Sequence, residues 1–326
     1  MPGNLVELSR CFRALNTNVE AAVRAEESKI PLVEAAFDRV ESLFAEVEKT
    51  LSRFRPDSEL SRLNASAGWP FKVSRLTFEV IKASLDAARL TGGLFDPTIL
   101  PSLVAAGYDC SFERIGSGHP ARLTCQTSQS RCSWRDIRLD ARTCTIYMPA
   151  GCVLDLGGIG KGWTVDRASR ELKDFPGYAL DAGGDIAIGG NSPDEPPWAI
   201  GVADPRCPER DMLVLELTQG AVCTSTTSRR RWQTAGGWQH HLIDPRTGRP
   251  SDSGVISATV LAGSAASAET LTKAAILLGP EEGIRFIETQ ENAKGLLVLE
   301  DGQVLYSAGF SFPVPPSFEE RVTHID

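Results

Sequence analysis

Between Leu32 and Phe54 the apolar positions fall into a helical rhythm. Phe37, Val40, Phe44, Val47, Leu51 and Phe54 recur at steps of three and four and line one face. The spacing predicts a long core helix, with Pro31 at a first-turn position and Pro56 just beyond its end. A second helix is expected from Ser74, a good N-cap, through Phe78, Ile81, Leu85 and Ala88 to the stop at Gly92-Gly93. From Tyr108 to Trp134 the periodicity vanishes into Ser, Gly, Arg and Cys, which reads as a long excursion loop or irregular insertion. Short strands follow at Asp136 to Asp140, Thr145 to Met148 and Val153 to Leu156, the last running into a glycine cluster and a helix through Val165, Ala168 and Leu172. Near the end, Leu296 to Glu300 and Gln303 to Ser307 flank Asp301-Gly302, the signature of a tight antiparallel hairpin. No repeat of 20 to 50 residues is present, which excludes solenoids and propellers.

Composition narrows the classes. The 326 residues carry 34 Lys plus Arg against 42 Asp plus Glu, a net charge of −8, and 42% are hydrophobic. Nucleic acid is not the expected partner, because phosphate neutralisation needs clustered cations and the one basic run is Arg229-Arg230-Arg231. No window is apolar enough for a membrane span, and the start lacks a secretory pattern, so a cytoplasmic location is expected. Eight cysteines form no close Cys-x-x-Cys pair. Free thiols are the preferred reading, although Cys110, Cys125, Cys132 and Cys144 lie close enough in sequence to pair in an oxidising compartment.

Several polar clusters invite chemistry. Asp155-Leu156-Gly157-Gly158-Ile159-Gly160-Lys161-Gly162 joins a strand to a helix, which suits either an anion cradled by backbone N–H groups or a tight structural turn. Its spacing fits neither the Walker pattern nor G-x-G-x-x-G. Asp181 to Gly190 combines carboxylates and glycines around a short apolar strand and reads as a turn. His240-His241 precede the loop Asp244-Pro245-Arg246-Thr247-Gly248; this is an acid or base near neutral pH, or a surface pair beside a turn. Glu269 and Lys273, four apart on a helix expected from Ser267 to Leu278, read as an ordinary surface ion pair.

Taken in order, these segments resemble the FAD:protein FMN transferase (ApbE) family. Phe12 to Thr17 is similar to the family's A-M-G-T opening, and Phe54 to Asn64 to its Y-x-x-x-S-x-x-x-x-x-N stretch. Gly93 to Thr98 matches G-x-F-D-P-T, Asp155 to Gly162 matches D-L-G-G-I-A-K-G, and His241 to Gly248 matches H-I-I-D-P-x-T-G. The resemblance implies an α+β fold with an antiparallel or mixed sheet core, flanking helices and a two-lobed, T-fold-like architecture. It implies a domain over 12–315 with the insertion at 107–135, an N-terminal extension over 1–11 and a C-terminal tail over 316–326.

The activity implied is cleavage of FAD, attachment of FMN by a phosphoester bond to a Thr or Ser of an acceptor protein, and release of AMP. The chain has no S-G-A-T acceptor sequence of its own, so the acceptor is a separate protein. The alternatives are a non-catalytic FAD-binding protein and an FAD pyrophosphatase. Leu15, Phe54, Leu94, Phe95, Asp96, Asp155, Lys161 and Ile243 stand where the family contacts FAD, and His241 stands at the family's histidine, as base or orienting residue. Leu15 replaces the family's Met, and Asn16 its Gly, at a backbone position expected to need positive φ. For Mg²⁺ the resemblance implies Gly158, through a backbone oxygen, and Glu269, while Lys273 falls at the third ligand position. An ammonium there repels Mg²⁺ or stands in for it; Thr272, one residue earlier, offers a hydroxyl pointing about 100° away.

Overall fold

The computed structural model describes residues 5–116, 132–190, 195–234, 236–310 and 322–324. The chain opens with the hairpin β1 (Leu5–Ala14) and β2 (Thr17–Glu26), then α1 (Ile30–Leu51), α2 (Glu59–Ala65), β3 (Phe71–Lys72) and α3 (Arg75–Leu90). After α4 (Leu100–Ala105) and α5 (Phe112–Gly116) come β4 (Arg138–Asp140), β5 (Thr145–Tyr147) and α6 (Gly160–Ala168). A run of strands follows: β6 (Gly177–Ala182), β7 (Asp185–Gly189), β8 (Trp198–Asp204), β9 (Cys207–Leu217) and β10 (Gly220–Thr226). It continues through β11 (Arg231–Thr234), β12 (Gly237–His240), β13 (Ile243–Asp244), β14 (Arg249–Pro250) and β15 (Val255–Ala262). Helices α7 (Ala265–Leu278) and α8 (Pro280–Glu288) precede β16 (Lys294–Leu299), β17 (Val304–Tyr306) and β18 (Val322–His324).

One sheet organises the molecule, in the order β1-β2-β6-β7-β10-β15-β16-β17-β18, antiparallel throughout except for the last pair. On one face Val19, Ala21 and Val23 of β2 meet Phe37 and Phe44 of α1, Val165 and Ala168 of α6, and Ala265 and Ala268 of α7. Further along that sheet, Leu271 and Ile276 of α7 and Ile284 of α8 pack on Val260 and Leu297. The β8–β9 hairpin covers the opposite face, with Trp198, Met212 and Leu215 against Ile186, Val222 and Val298. A separate core joins the end of α1 to α2, α3 and the segment through Leu154, Leu156 and Ile159. The α+β class with an antiparallel sheet is therefore as expected.

The local signals explain most boundaries. The apolar stripe of α1 is buried from Val33 to Leu51, but the helix ends at Ser52, whose ψ of 117° turns the chain outward and leaves Phe54 40% exposed. Ser74 caps α3 by accepting from the Thr77 N–H, and Gly92 and Gly93 follow with φ of 63° and 96°. The hairpin at Asp301-Gly302 forms as β16 and β17. Val153 to Leu156 is not a strand: Leu154 exchanges two hydrogen bonds with the Asn64 side chain and Asp155 N–H donates to Pro97 O, so no neighbouring strand is engaged.

Three expectations change at the margins. Leu5 to Cys11, set apart as an extension, belongs to β1, because it pairs residue for residue with β2. Within the expected insertion, residues 117–131 lie outside the described residues, but α5 and buried Cys132 and Trp134 pack at its ends. Of the stretch set apart as a tail, Val322–His324 pairs with β17, and the rest lies outside the described residues. Cys132 is bonded to Cys152, 20 residues away, where folding brings the two Cα atoms to 5.3 Å, so the free-thiol reading is corrected for that pair. Cys11, Cys110, Cys144, Cys207 and Cys223 are free. Among the described residues no helix is long and apolar enough to cross a membrane.

Helices α6 and α7 meet at a glycine. A Cβ on Gly162 would lie 2.6 Å from Ala265 O, a backbone atom that cannot step aside, while Asp166 of α6 caps α7 by accepting from the Ala265 and Ala266 N–H groups. Gly162→Ala is expected to lose about 1–3 kcal/mol through this forced separation. An unchanged urea midpoint would show that the two helices part without cost.

Candidate active site

A cleft of about 420 Å³ opens among the β1–β2 turn, the end of α1, the loop before α6, the start of β13 and one face of α7. Leu15, Phe54, Leu94, Phe95, Asp96, Asp155, Gly158, Lys161, His241, Ile243 and Lys273 all line it. Glu269 lies beneath the floor, 1% exposed, within ion-pair reach of two of them. Residues from six separate stretches of sequence thus share one cavity.

One wall is aromatic and charged. Arg53 Nε lies 2.7 Å from Asp155 Oδ2, and Asp155 Oδ1 accepts from the Gly157 N–H, so this carboxylate is fixed at the mouth of the glycine loop. The guanidinium sits 4.1 Å over the Phe54 ring and 4.8 Å over Tyr108, and donates to Tyr108 O. Tyr108 in turn packs on Trp232, whose indole N–H donates to Ala106 O. Across the cleft, Asp96 Oδ1 accepts from the backbone and hydroxyl of Thr98; burial raises its pKa against those two bonds.

The β1–β2 turn supplies Leu15 and Asn16, with φ of 50° and 60°. The position does require positive φ, and asparagine is among the side chains that tolerate it. Leu15 N–H donates to Glu48 Oε2, which ties the turn to α1.

The floor is a quartet of two ammoniums and two carboxylates. Lys161 pairs with Asp185 and lies 3.4 Å from Glu269 Oε1. Lys273 Nζ lies 3.1 Å from that same oxygen and 3.2 Å from Glu269 O, while Glu269 Oε2 accepts from the Gly162 N–H. Burial opposes the charge on Glu269, yet Lys161, Lys273 and that N–H together hold its pKa at about 2. Burial also opposes the charge on Lys161, but Asp185 and Glu269 outweigh it and raise its pKa. Burial, with Glu269 beside it, pushes Asp185 up to about 6. The surface-pair reading of Glu269 and Lys273 is corrected, since the carboxylate is buried.

This donor set does not fit Mg²⁺, which asks for hard oxygens with free lone pairs. Both Glu269 oxygens are engaged, Asp185 is held by Lys161, and the Thr272 hydroxyl is bonded to Ser225 and Glu269 O. The Lys273 stem also fills the space beside Gly158: a Cβ there would lie 3.5 Å from Lys273 Cε and 2.9 Å from the Phe95 ring. Among the described residues no group of three His, Cys, Asp or Glu could hold a metal ion.

His241 completes the cleft. Burial first, then Arg230, Lys273 and His240, pull its pKa well below 6.5, so the ring is neutral near pH 7. Its buried Nδ1 has no hydrogen-bond partner among the described residues. His240 is turned elsewhere, its Nε2 bonded to Ser251 O and its Nδ1 accepting from the Leu242 N–H.

Among residues not singled out from sequence, Arg53 and Arg230 line the cleft and Asp185 lies buried in its floor. Arg53 carried a signal in its place between Ser52 and Phe54, directly before the aromatic; Arg230 lay in the basic run; Asp185 sat in a cluster that read as a turn. Only the fold brings Asp185 against Lys161.

A family model described as the ApbE family matches residues 15–297. An FAD:protein FMN transferase of Vibrio cholerae serotype O1 is 29% identical over 277 residues, covering 84% of this chain and 82% of that protein. One from Treponema pallidum is 30% identical over 305 residues, covering 86% and 82%. Among solved structures, the ApbE protein of Thermotoga maritima aligns with a TM-score of 0.81 at 28% identity, over 94% of this chain and 98% of that one. The flavin transferase ApbE of Vibrio cholerae aligns at 0.74 and 24% identity over 94% and 99%, a likeness of fold. With a family match across most of its length and a relative 30% identical over most of both chains, this chain belongs to the ApbE family.

Proposed function

We propose that the chain is an FAD:protein FMN transferase that modifies a Thr or Ser hydroxyl of a separate acceptor protein. The observation that carries the reading is the convergence of Phe54, Asp96, Asp155, Lys161 and His241 on one cleft, in a chain whose relatives bear that name. The acceptor oxygen forms a bond to the FMN phosphorus as the bond from that phosphorus to the bridging oxygen breaks. AMP leaves with the bond electrons, and the hydroxyl proton passes to neutral His241.

The chain's residues supply position and charge, the main needs of phosphoryl transfer. Phe54 and Tyr108 offer faces for a flat ring, and Arg53 fixes Asp155 to accept from ring or ribose donors. Lys161 and Lys273 place positive charge where the two phosphates pass, and Leu15, Leu94, Phe95 and Ile243 line the cleft with apolar surface. Gly158 and Glu269 serve as packing space and counter-ion in this reading, without Mg²⁺.

The test incubates the protein with FAD and an acceptor domain containing S-G-A-T, and reads covalent flavin on the denatured acceptor alongside AMP. Labelled acceptor with equimolar AMP is expected. AMP with free FMN identifies a pyrophosphatase, and tight FAD binding with neither product identifies a flavin-binding protein. A cytoplasmic setting belongs to the proposal only with Cys132 and Cys152 reduced, because disulfides persist in oxidising compartments. Alkylation of the protein as isolated distinguishes the two settings.

A further inference from the structure

We propose that the Lys273 ammonium is a built-in replacement for a divalent cation, so that the cleft binds the FAD diphosphate without metal. This rests on the transferase reading and deepens it. The stem of Lys273 runs past Gly158 and its ammonium ends on Glu269, so one side chain spans both residues expected to hold Mg²⁺. An ammonium has three donors. Two are spent on Glu269 Oε1 and O, which leaves one for a ligand in the cleft that Lys273 lines.

Charge makes the same point. With Lys273 the quartet holds two positive and two negative groups; without it, Lys161 faces Asp185 and Glu269 and one carboxylate is in excess. The uncompensated carboxylate would be a cation site, and the lysine fills it permanently. Glutamate suits this task because its longer arm lets Oε2 reach the Gly162 N–H on α6 while Oε1 meets both lysines. A fixed ammonium cannot dissociate with chelation, and it places its proton donor where a metal would otherwise polarise a phosphate oxygen.

The test compares wild type, Lys273→Thr and Lys273→Met by flavin fluorescence anisotropy with FAD, in Mg²⁺ or in chelator, and titrates Mn²⁺ alone by electron paramagnetic resonance. Circular dichroism checks that each variant is folded. Wild type is expected to bind FAD equally, within about 2-fold, in both conditions, and to leave Mn²⁺ free. Lys273→Thr is expected to lose about 10-fold or more in chelator, the worth of one charge-assisted hydrogen bond, to recover with Mg²⁺, and to take up Mn²⁺. Lys273→Met, which keeps the stem and blocks the gap, is expected to lose affinity in both conditions. Tight Mn²⁺ uptake by wild type, or FAD binding by wild type only with Mg²⁺, overturns the proposal. Absence of FAD binding by wild type in every condition sinks the transferase reading instead, while the Mn²⁺ comparison still decides what Lys273 does.

Discussion

Glu269→Ala is expected to lower folding stability by about 3–5 kcal/mol, the usual cost of removing one partner from a buried ionic cluster. The variant leaves Lys161, held deep in the floor, with Asp185 as its only described partner, and strands the Gly162 N–H where water does not reach. Glu269→Gln keeps the shape and an acceptor for that N–H but not the charge, and is expected to lose less. The pH dependence has a fixed sign. Because the folded-state pKa of Glu269 is depressed from 4.5 to about 2, its stabilisation is fully present above 4.5 and is lost as pH falls toward 2. Urea denaturation of wild type and Glu269→Gln should therefore converge across that window. A constant difference between them would place the stabilisation elsewhere.

His241→Ala is expected to slow FMN transfer by about 10²- to 10⁴-fold, the range for loss of a positioned base, with FAD affinity changed by no more than about 3-fold. Burial and the cations Arg230 and Lys273 keep the imidazole neutral, so its free nitrogen remains able to take a proton well below pH 6.5. The acid limb of the wild-type rate profile should accordingly lie below that value, not at it. An equal loss in affinity and turnover would assign His241 to binding, and an acid limb at 6.5 would contradict the buried ring.

The helices were legible where a single face meets a core: Val40, Phe44 and Val47 in α1 and Phe78, Ile81 and Leu85 in α3 repeat because the same neighbours wait at each turn. Phe54 obeys that spacing, three residues after Leu51, but belongs to the cleft, since the helix ends at Leu51 and Ser52 already turns the chain outward. The apolar run at Val153 to Leu156 looks like a strand because it is buried on alternating positions; its partner is a side-chain amide, Asn64, which no periodicity reveals.

For the site, the residues picked out by the ordered motifs line one cleft, yet the motifs gave neither neighbours such as Arg53, Tyr108 and Arg230 nor the links between them. Arg53 to Asp155 and Lys161 to Asp185 join residues far apart in sequence, and Cys132 bonds to Cys152, which lies outside the four cysteines that sequence proximity grouped. At Asn16 the family's glycine implied a need for positive φ, and the asparagine meets it with φ of 60°.

The strand order has a consequence for how the molecule comes into being. β2 pairs with β6, so Val19 lies opposite Ala182, and the cleft takes its walls from Leu15 through to Leu277. Such non-local pairing delays folding to the order of milliseconds to seconds, because long loops must close before any contact rewards them. During synthesis the cleft cannot assemble until α7 has emerged. A nascent chain paused before Gly177 leaves one edge of β2 unpaired, and that edge is where association with other chains, or capture by a chaperone, would begin.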